Sequence, residues 1–220
     1  MKRLICLSLL YFAVVLPASA TTVNFTSTNL FDVGSFTFVD ANGNVLSDGD
    51  LVRIGYFENS SAITAGMSVE EMEIAGVWHD FGDLQISSPF DYSGKVYGDV
   101  TDTSAAASAF DGKSLYIWVF DAGTTSAASS YGVFQATSAE LAWIFPNNQY
   151  GLGDSVTLNI DEASLQAVQN VGEVDAASGE VKLVSIEAVP EPSAMALGGL
   201  SLLAIGGFRW VRARGLRQEA

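Results

Sequence analysis

The sequence predicts an all-β fold, a β-sandwich or jelly-roll-like domain with one or two short helices, plus a single C-terminal transmembrane helix. Three observations predict it. Short runs rich in aromatic and β-branched residues recur through the middle of the chain, separated by Gly-, Asn-, Asp- and Ser-rich turns. One of them, Ser114–Asp121 (SLYIWVFD), is apolar on both of its alternating faces, as a strand covered on two sides must be. Both ends of the 220-residue chain carry apolar segments with basic flanks, which leaves one domain-sized stretch between them.

Residues 1–20 read as a secretory signal peptide. Lys2 and Arg3 precede an apolar run from Leu4 to Leu16, Pro17 ends that run, and Ala18-Ser19-Ala20 is a small-residue cleavage site. Signal peptidase is expected to cut between Ala20 and Thr21. The only cysteine, Cys6, lies in the removed segment, so the mature chain is predicted to lack thiols, disulfides and Cys-ligated metals.

Residues 21–188 form the β-rich domain. Besides Ser114–Asp121, strands are predicted over 34–40, 50–57, 131–137, 140–145, 155–160 and 180–187, each of similar length and rich in β-branched or aromatic residues. Two segments read as helices. Ser68-Val69-Glu70-Glu71 has the spacing of a capping box and opens a run to about His79. Residues 161–170 begin with two acids and are followed by Gly172 as a stop. The Ala/Ser/Thr-rich stretches 101–109 and 123–130 read as flexible loops.

Charge narrows the function classes. The chain holds 25 acidic and 10 basic residues, a formal charge of −15, with a pI near 4.1. Only Arg53, Lys95, Lys113 and Lys182 of the basic residues fall within 21–188, so the exported part is more acidic than the whole. Such a surface stays soluble and lacks the basic face that nucleic acid requires.

Residues 189–220 have three parts: Val189-Pro190-Glu191-Pro192, an apolar stretch, and a basic tail of Arg209, Arg212, Arg214 and Arg217. The apolar stretch, residues 194–211, is about 27 Å long as a helix at about 1.5 Å per residue, close to the ~30 Å core of a bilayer. The arginines resist translocation, which predicts an N-out, C-in orientation. The two prolines keep the segment before the membrane extended, as a protease substrate must be.

This composite closely resembles the PEP-CTERM sorting signal of Gram-negative bacteria. The resemblance implies recognition and cutting at or near Pro190-Glu191-Pro192 by the membrane protease exosortase. It further implies an inner-membrane-anchored precursor that passes to the cell surface or to an exopolysaccharide- and biofilm-associated matrix. The order of 50–57, the capped segment near Glu70, YIWVFD and AWIFP is also similar to exported PEP-CTERM proteins whose ectodomains have no assigned activity.

Candidate chemistry in the domain is sparse. His79, the only histidine, sits in WHDFGD and could be paired with Asp80 for acid–base work, but its neighbours favour a partly exposed histidine in an aromatic turn. There is no G-x-S-x-G elbow and no second histidine for zinc. Asp40-Ala41-Asn42-Gly43-Asn44 starts like a calcium loop, yet Val45 and Leu51 stand where its glycine and bidentate acid belong, so a tight hairpin is expected. No catalytic residue, metal or cofactor is assigned, and the leading reading is a non-enzymatic structural or interaction protein. A carbohydrate-binding module using Tyr92, Tyr97, Trp118, Trp143 or Tyr150 is the alternative, and a hydrolase with paired acids comes after it.

Overall fold

The computed structural model describes residues 20–26, 36–88, 93–103, 109–136, 143–147, 154–159 and 165–186. Its strands are β1 (Thr21–Thr26), β2 (Thr37–Val39), β3 (Leu51–Phe57), β4 (Trp78–Ser87), β5 (Lys95–Val96), β6 (Gly98–Asp102), β7 (Tyr116–Phe120), β8 (Ser130–Ala136), β9 (Asp154–Asn159), β10 (Leu165–Ala167), β11 (Glu173–Asp175), β12 (Glu180–Lys182) and β13 (Val184–Ser185). One α-helix, α1 (Val69–Gly76), lies between β3 and β4. The described part of the domain is thus mostly β and sandwich-like.

The central sheet runs β10-β8-β7-β3-β4-β5, with β13 also on β8, and its pairings are all antiparallel. β7 is buried at every position, as its two apolar faces require. Register places Arg53, Trp118 and Val133 side by side on one face, and Ile54, Ile117 and Phe134 on the other.

Two three-stranded sheets cover the Ile54 face. In one, ordered β6-β1-β9, Val100 lies so close to Gly82 that a Cβ there would meet it at 2.7 Å. In the other, ordered β11-β12-β2, Phe38 packs edge-on against Phe134 at 5.7 Å. The Arg53 face is covered instead by α1 and the segment leading to it. A Cβ on Gly76 would stand 2.5 Å from Phe57 and 2.8 Å from Ile63, and the Tyr131 hydroxyl donates to the Met67 carbonyl. The core is therefore continuous on both sides of the sheet.

The capping box forms as predicted: Ser68 Oγ accepts from the Glu71 amide, and the Glu71 carboxylate accepts from the Ser68 amide. The run does not reach His79, however. The helix stops at Gly76, where Val77 turns left-handed (φ 52°) and the amides of Glu58 and Asn59 take the carbonyls of Val77 and Gly76. Strand β4 then begins at Trp78.

Three further expectations change. Residues 165–170, the described end of the second predicted helix, form strand β10 and a single 3₁₀ turn, because Leu165–Ala167 pair with Phe134–Ala136. Of the predicted strand 140–145, the described Trp143–Phe145 contribute an isolated bridge between Ile144 and Ser114. The predicted strand 180–187 divides into β12, parallel to β2, and β13 on β8. The expected transmembrane helix, residues 194–211, lies outside the described residues, and no helix among those described is long and apolar enough to cross a membrane.

Candidate functional site

A β-bulge builds the most chemically distinctive surface. β3 and β4 pair from Leu51↔Gln85 to Ile54↔Gly82 and resume at Gly55↔Asp80, leaving Phe81 as an extra residue on β4. Asp80 and Asp83 are three residues apart and in a regular strand would point to opposite faces. With the bulge, both share the face of Arg53. Glycine is needed opposite, since a Cβ on Gly55 would lie 2.2 Å from the His79 carbonyl oxygen.

Arg53 is the hub of this face. Its guanidinium lies 5.5 Å from the Trp78 ring and 5.6 Å from Trp118, its Nε donates to Asp80 Oδ1 at 3.1 Å, and it pairs with Glu73 on α1. Trp78 Nε1 donates to the same Asp80 oxygen at 3.1 Å. With its side chain only 15% exposed, the arginine ties helix to sheet through charge and ring contacts together. Asp83 stands beyond this cluster. Desolvation by the surrounding chain, then Asp80, hold its carboxyl above the usual range, while Arg53 acts in the opposite sense.

Past Asp83 the same face opens into a groove of about 690 Å³ lined by Asp48, Asp83, Gln85, Ser87 and Tyr97. Val96 pairs with Ile86, which places Tyr97 beside Gln85; the tyrosine is 45% exposed. Asp48 accepts from Ser88 Oγ at 2.6 Å. The groove offers one aromatic face, an amide and two carboxylates, a set suited to hydrogen-bonding a polyhydroxylated ligand.

His79 is on β4 rather than in a turn. Its ring stacks on Tyr56 at 4.5 Å, and its Nε2 is 3.0 Å from Glu58 Oε1, beside a second groove of about 470 Å³ that Lys113 also lines. Asp80 points to the Arg53 face, so the His79–Asp80 pair is not assembled. The Asp40 turn is a hairpin, with Val39 bridged to Val45 and Gly43 at φ 88°. The Asp40 carboxylate accepts from the amides of Asn42 and Asn44 and from the Asn44 side chain. Among the described residues, no three His, Cys, Asp or Glu side chains come together in a way that would hold a metal.

The rings named for sugar stacking separate cleanly. Trp118 and Trp143 are buried and present no face to solvent, Tyr97 is exposed, and Tyr92 and Tyr150 lie outside the described residues. Of the processing residues, Ala20 is half-buried and Thr21 opens β1, fully buried. Ala18, Val189, Pro190, Glu191, Pro192, Arg209, Arg212, Arg214 and Arg217 lie outside the described residues.

Residues 188–213 match the PEP-CTERM protein-sorting motif. No curated protein and no solved structure matches the chain. The chain carries a PEP-CTERM sorting signal. It is accordingly an exported protein, made as a membrane-anchored precursor and sorted by exosortase.

Proposed function

We propose that this is a non-enzymatic structural or interaction component of the cell surface or of an exopolysaccharide- and biofilm-associated matrix. The precursor is held N-out, C-in, with Arg209, Arg212, Arg214 and Arg217 on the cytoplasmic side, until exosortase cuts near Pro190-Glu191-Pro192. The observation that carries this reading is the motif at 188–213 placed directly after an acidic β domain. Signal peptidase, exosortase and the cytoplasmic membrane are its processing partners. Replacing Pro190, Glu191 and Pro192 by alanine is expected to leave the full-length precursor in the inner-membrane fraction and to abolish release. Normal release of that variant contradicts the reading.

A second reading, saccharide binding, is favoured by one observation: Tyr97 stands exposed beside Gln85 and Asp83 in an open groove on a sheet face. Under this reading Tyr97→Ala lowers retention on immobilised exopolysaccharide about tenfold, near the ~1.4 kcal/mol scale of one ring contact. Its thermal midpoint should match that of the unaltered protein. Equal retention of both proteins counts against the groove.

A further inference from the structure

The groove beyond Asp83 carries charge of one sign. Among the described residues that line it, Asp48 and Asp83 are acidic and none is basic. Two basic residues each stand two positions from a lining residue, and both are engaged elsewhere. Arg53 is held by Glu73 and Asp80, and Lys95 donates to the Phe36 carbonyl at 2.8 Å and the Thr37 hydroxyl at 3.0 Å. Of the two acids, Asp83 is the less well satisfied. Asp48 accepts from Ser88 Oγ, whereas no described residue donates a hydrogen bond to the Asp83 carboxylate. Burial and then Asp80 keep its carboxyl above the usual range despite Arg53, the mark of a charge that its surroundings do not fully compensate.

Register joins this acid to an aromatic surface. The Val96↔Ile86 pair sets Tyr97 opposite Gln85, and Asp83 follows two residues along β4 on the same face of the strand. The diagonal step from Tyr97 to Asp83 is about 7–8 Å, so both can touch neighbouring parts of one ligand. Tyr97, 45% exposed, offers a ring to the flat apolar face of a sugar, and Gln85 between them supplies a donor and an acceptor.

Carboxylates only accept, so whatever they bind must donate. In a groove without a base, a positively charged donor is favoured twice, by the hydrogen bond and by its charge. A bare metal ion fits poorly: calcium takes about six to eight oxygens, and no three metal-ligating side chains come together among the described residues. An ammonium carries its own three donors and is satisfied by few acceptors. We infer that this groove selects glycans bearing free amines, with the ring of an amino sugar lying on Tyr97, its ammonium paired with Asp83, and Asp48 as the second acid along the groove. The inference rests on the saccharide-binding reading and adds the charge of the ligand to it. N-acetylation of the sugar removes the charge and two of the three donors, and a uronic acid meets two carboxylates of its own sign.

The test is calorimetric titration of the exported protein, as cells process it, with three hexasaccharides: glucosamine, N-acetylglucosamine and galacturonic acid. Glucosamine hexamer is expected to bind at least about tenfold more tightly than the other two. Asp83→Asn and Tyr97→Ala should each weaken it about tenfold with an unchanged thermal midpoint. Glu173→Gln, on β11 in another sheet, removes the same charge from the domain and should leave binding as it was. Equal weakening by Glu173→Gln overturns the inference, because attraction to the whole acidic domain then explains the binding. Tyr97-dependent binding of the acetylated or the acidic hexamer, as tight as that of the amine, overturns the selectivity and leaves saccharide binding standing. Silence with all three hexamers overturns both.

Discussion

Trp118→Ala is expected to destabilise the domain by about 3–5 kcal/mol. The indole is 0% exposed and lies 5.3–5.6 Å from the rings of Phe57, Trp78 and Phe120. It also forms one of the two ring faces over which Arg53 is held, so truncation leaves a cavity and strips the guanidinium of half its cover. Its Nε1 has no hydrogen-bond partner, which makes the loss one of packing rather than of a polar bond. Against a total of about 5–15 kcal/mol for a domain, this is a large fraction. In urea the midpoint should fall with the slope unchanged, and Trp118→Phe should recover much of the loss. A shift under about 1 kcal/mol would mean that this face of the sheet is not covered as described.

Asp121→Ala is expected to cost about 2–3 kcal/mol, the scale of one or two charge-assisted hydrogen bonds. Asp121 comes directly after β7, and its carboxylate accepts from the amides and hydroxyls of both Ser129 and Ser130 at 2.5–2.9 Å. These bonds close the loop between β7 and β8 and seat Ser130, which is buried and pairs with Ser185 of β13. Burial pushes the Asp121 carboxyl up, but the bonds from Ser129 and Ser130 outweigh it and hold it below its usual value of 3.8. A depressed folded-state value means that the contribution is present above pH ~4 and is lost as pH falls through that lowered value. The alanine variant should therefore be less stable at pH 7, and the difference should shrink in acid. A difference that grows on acidification contradicts the assignment.

How much of the fold was legible in the sequence depended on whether the signal was local. β7 was readable because five consecutive apolar residues admit few arrangements other than a strand covered twice. The capping box was readable because Ser68 and Glu71 meet within one turn. The Asp40 hairpin was readable for the same reason. β4 was missed: WHDFGDLQIS has no clean alternation, since the Phe81 bulge shifts its phase and puts Asp80 and Asp83 on one face. The only advance signal for that cluster was Arg53, a lone cation in an apolar strand of a chain poor in bases. Residues 165–167 have helix-like composition upstream, yet the edge of β8 captures them as a strand, a tertiary contact that propensity does not contain. The loop at 123–130 looked flexible because its anchor, Asp121, bonds to serines eight and nine residues away. The tail was readable because its tripeptide, apolar stretch and arginines follow one another directly along the sequence.

Removal of the last segment by exosortase is the step on which the proposed role depends. Intact mass of the exported protein, from cells with and without exosortase, decides it. The expected result is a mature chain in normal cells that ends near Pro190-Glu191-Pro192 and lacks Arg209, Arg212, Arg214 and Arg217, with the uncut tail retained when the enzyme is missing. A surface protein from normal cells that still carries Arg217, or identical masses from the two strains, would contradict it.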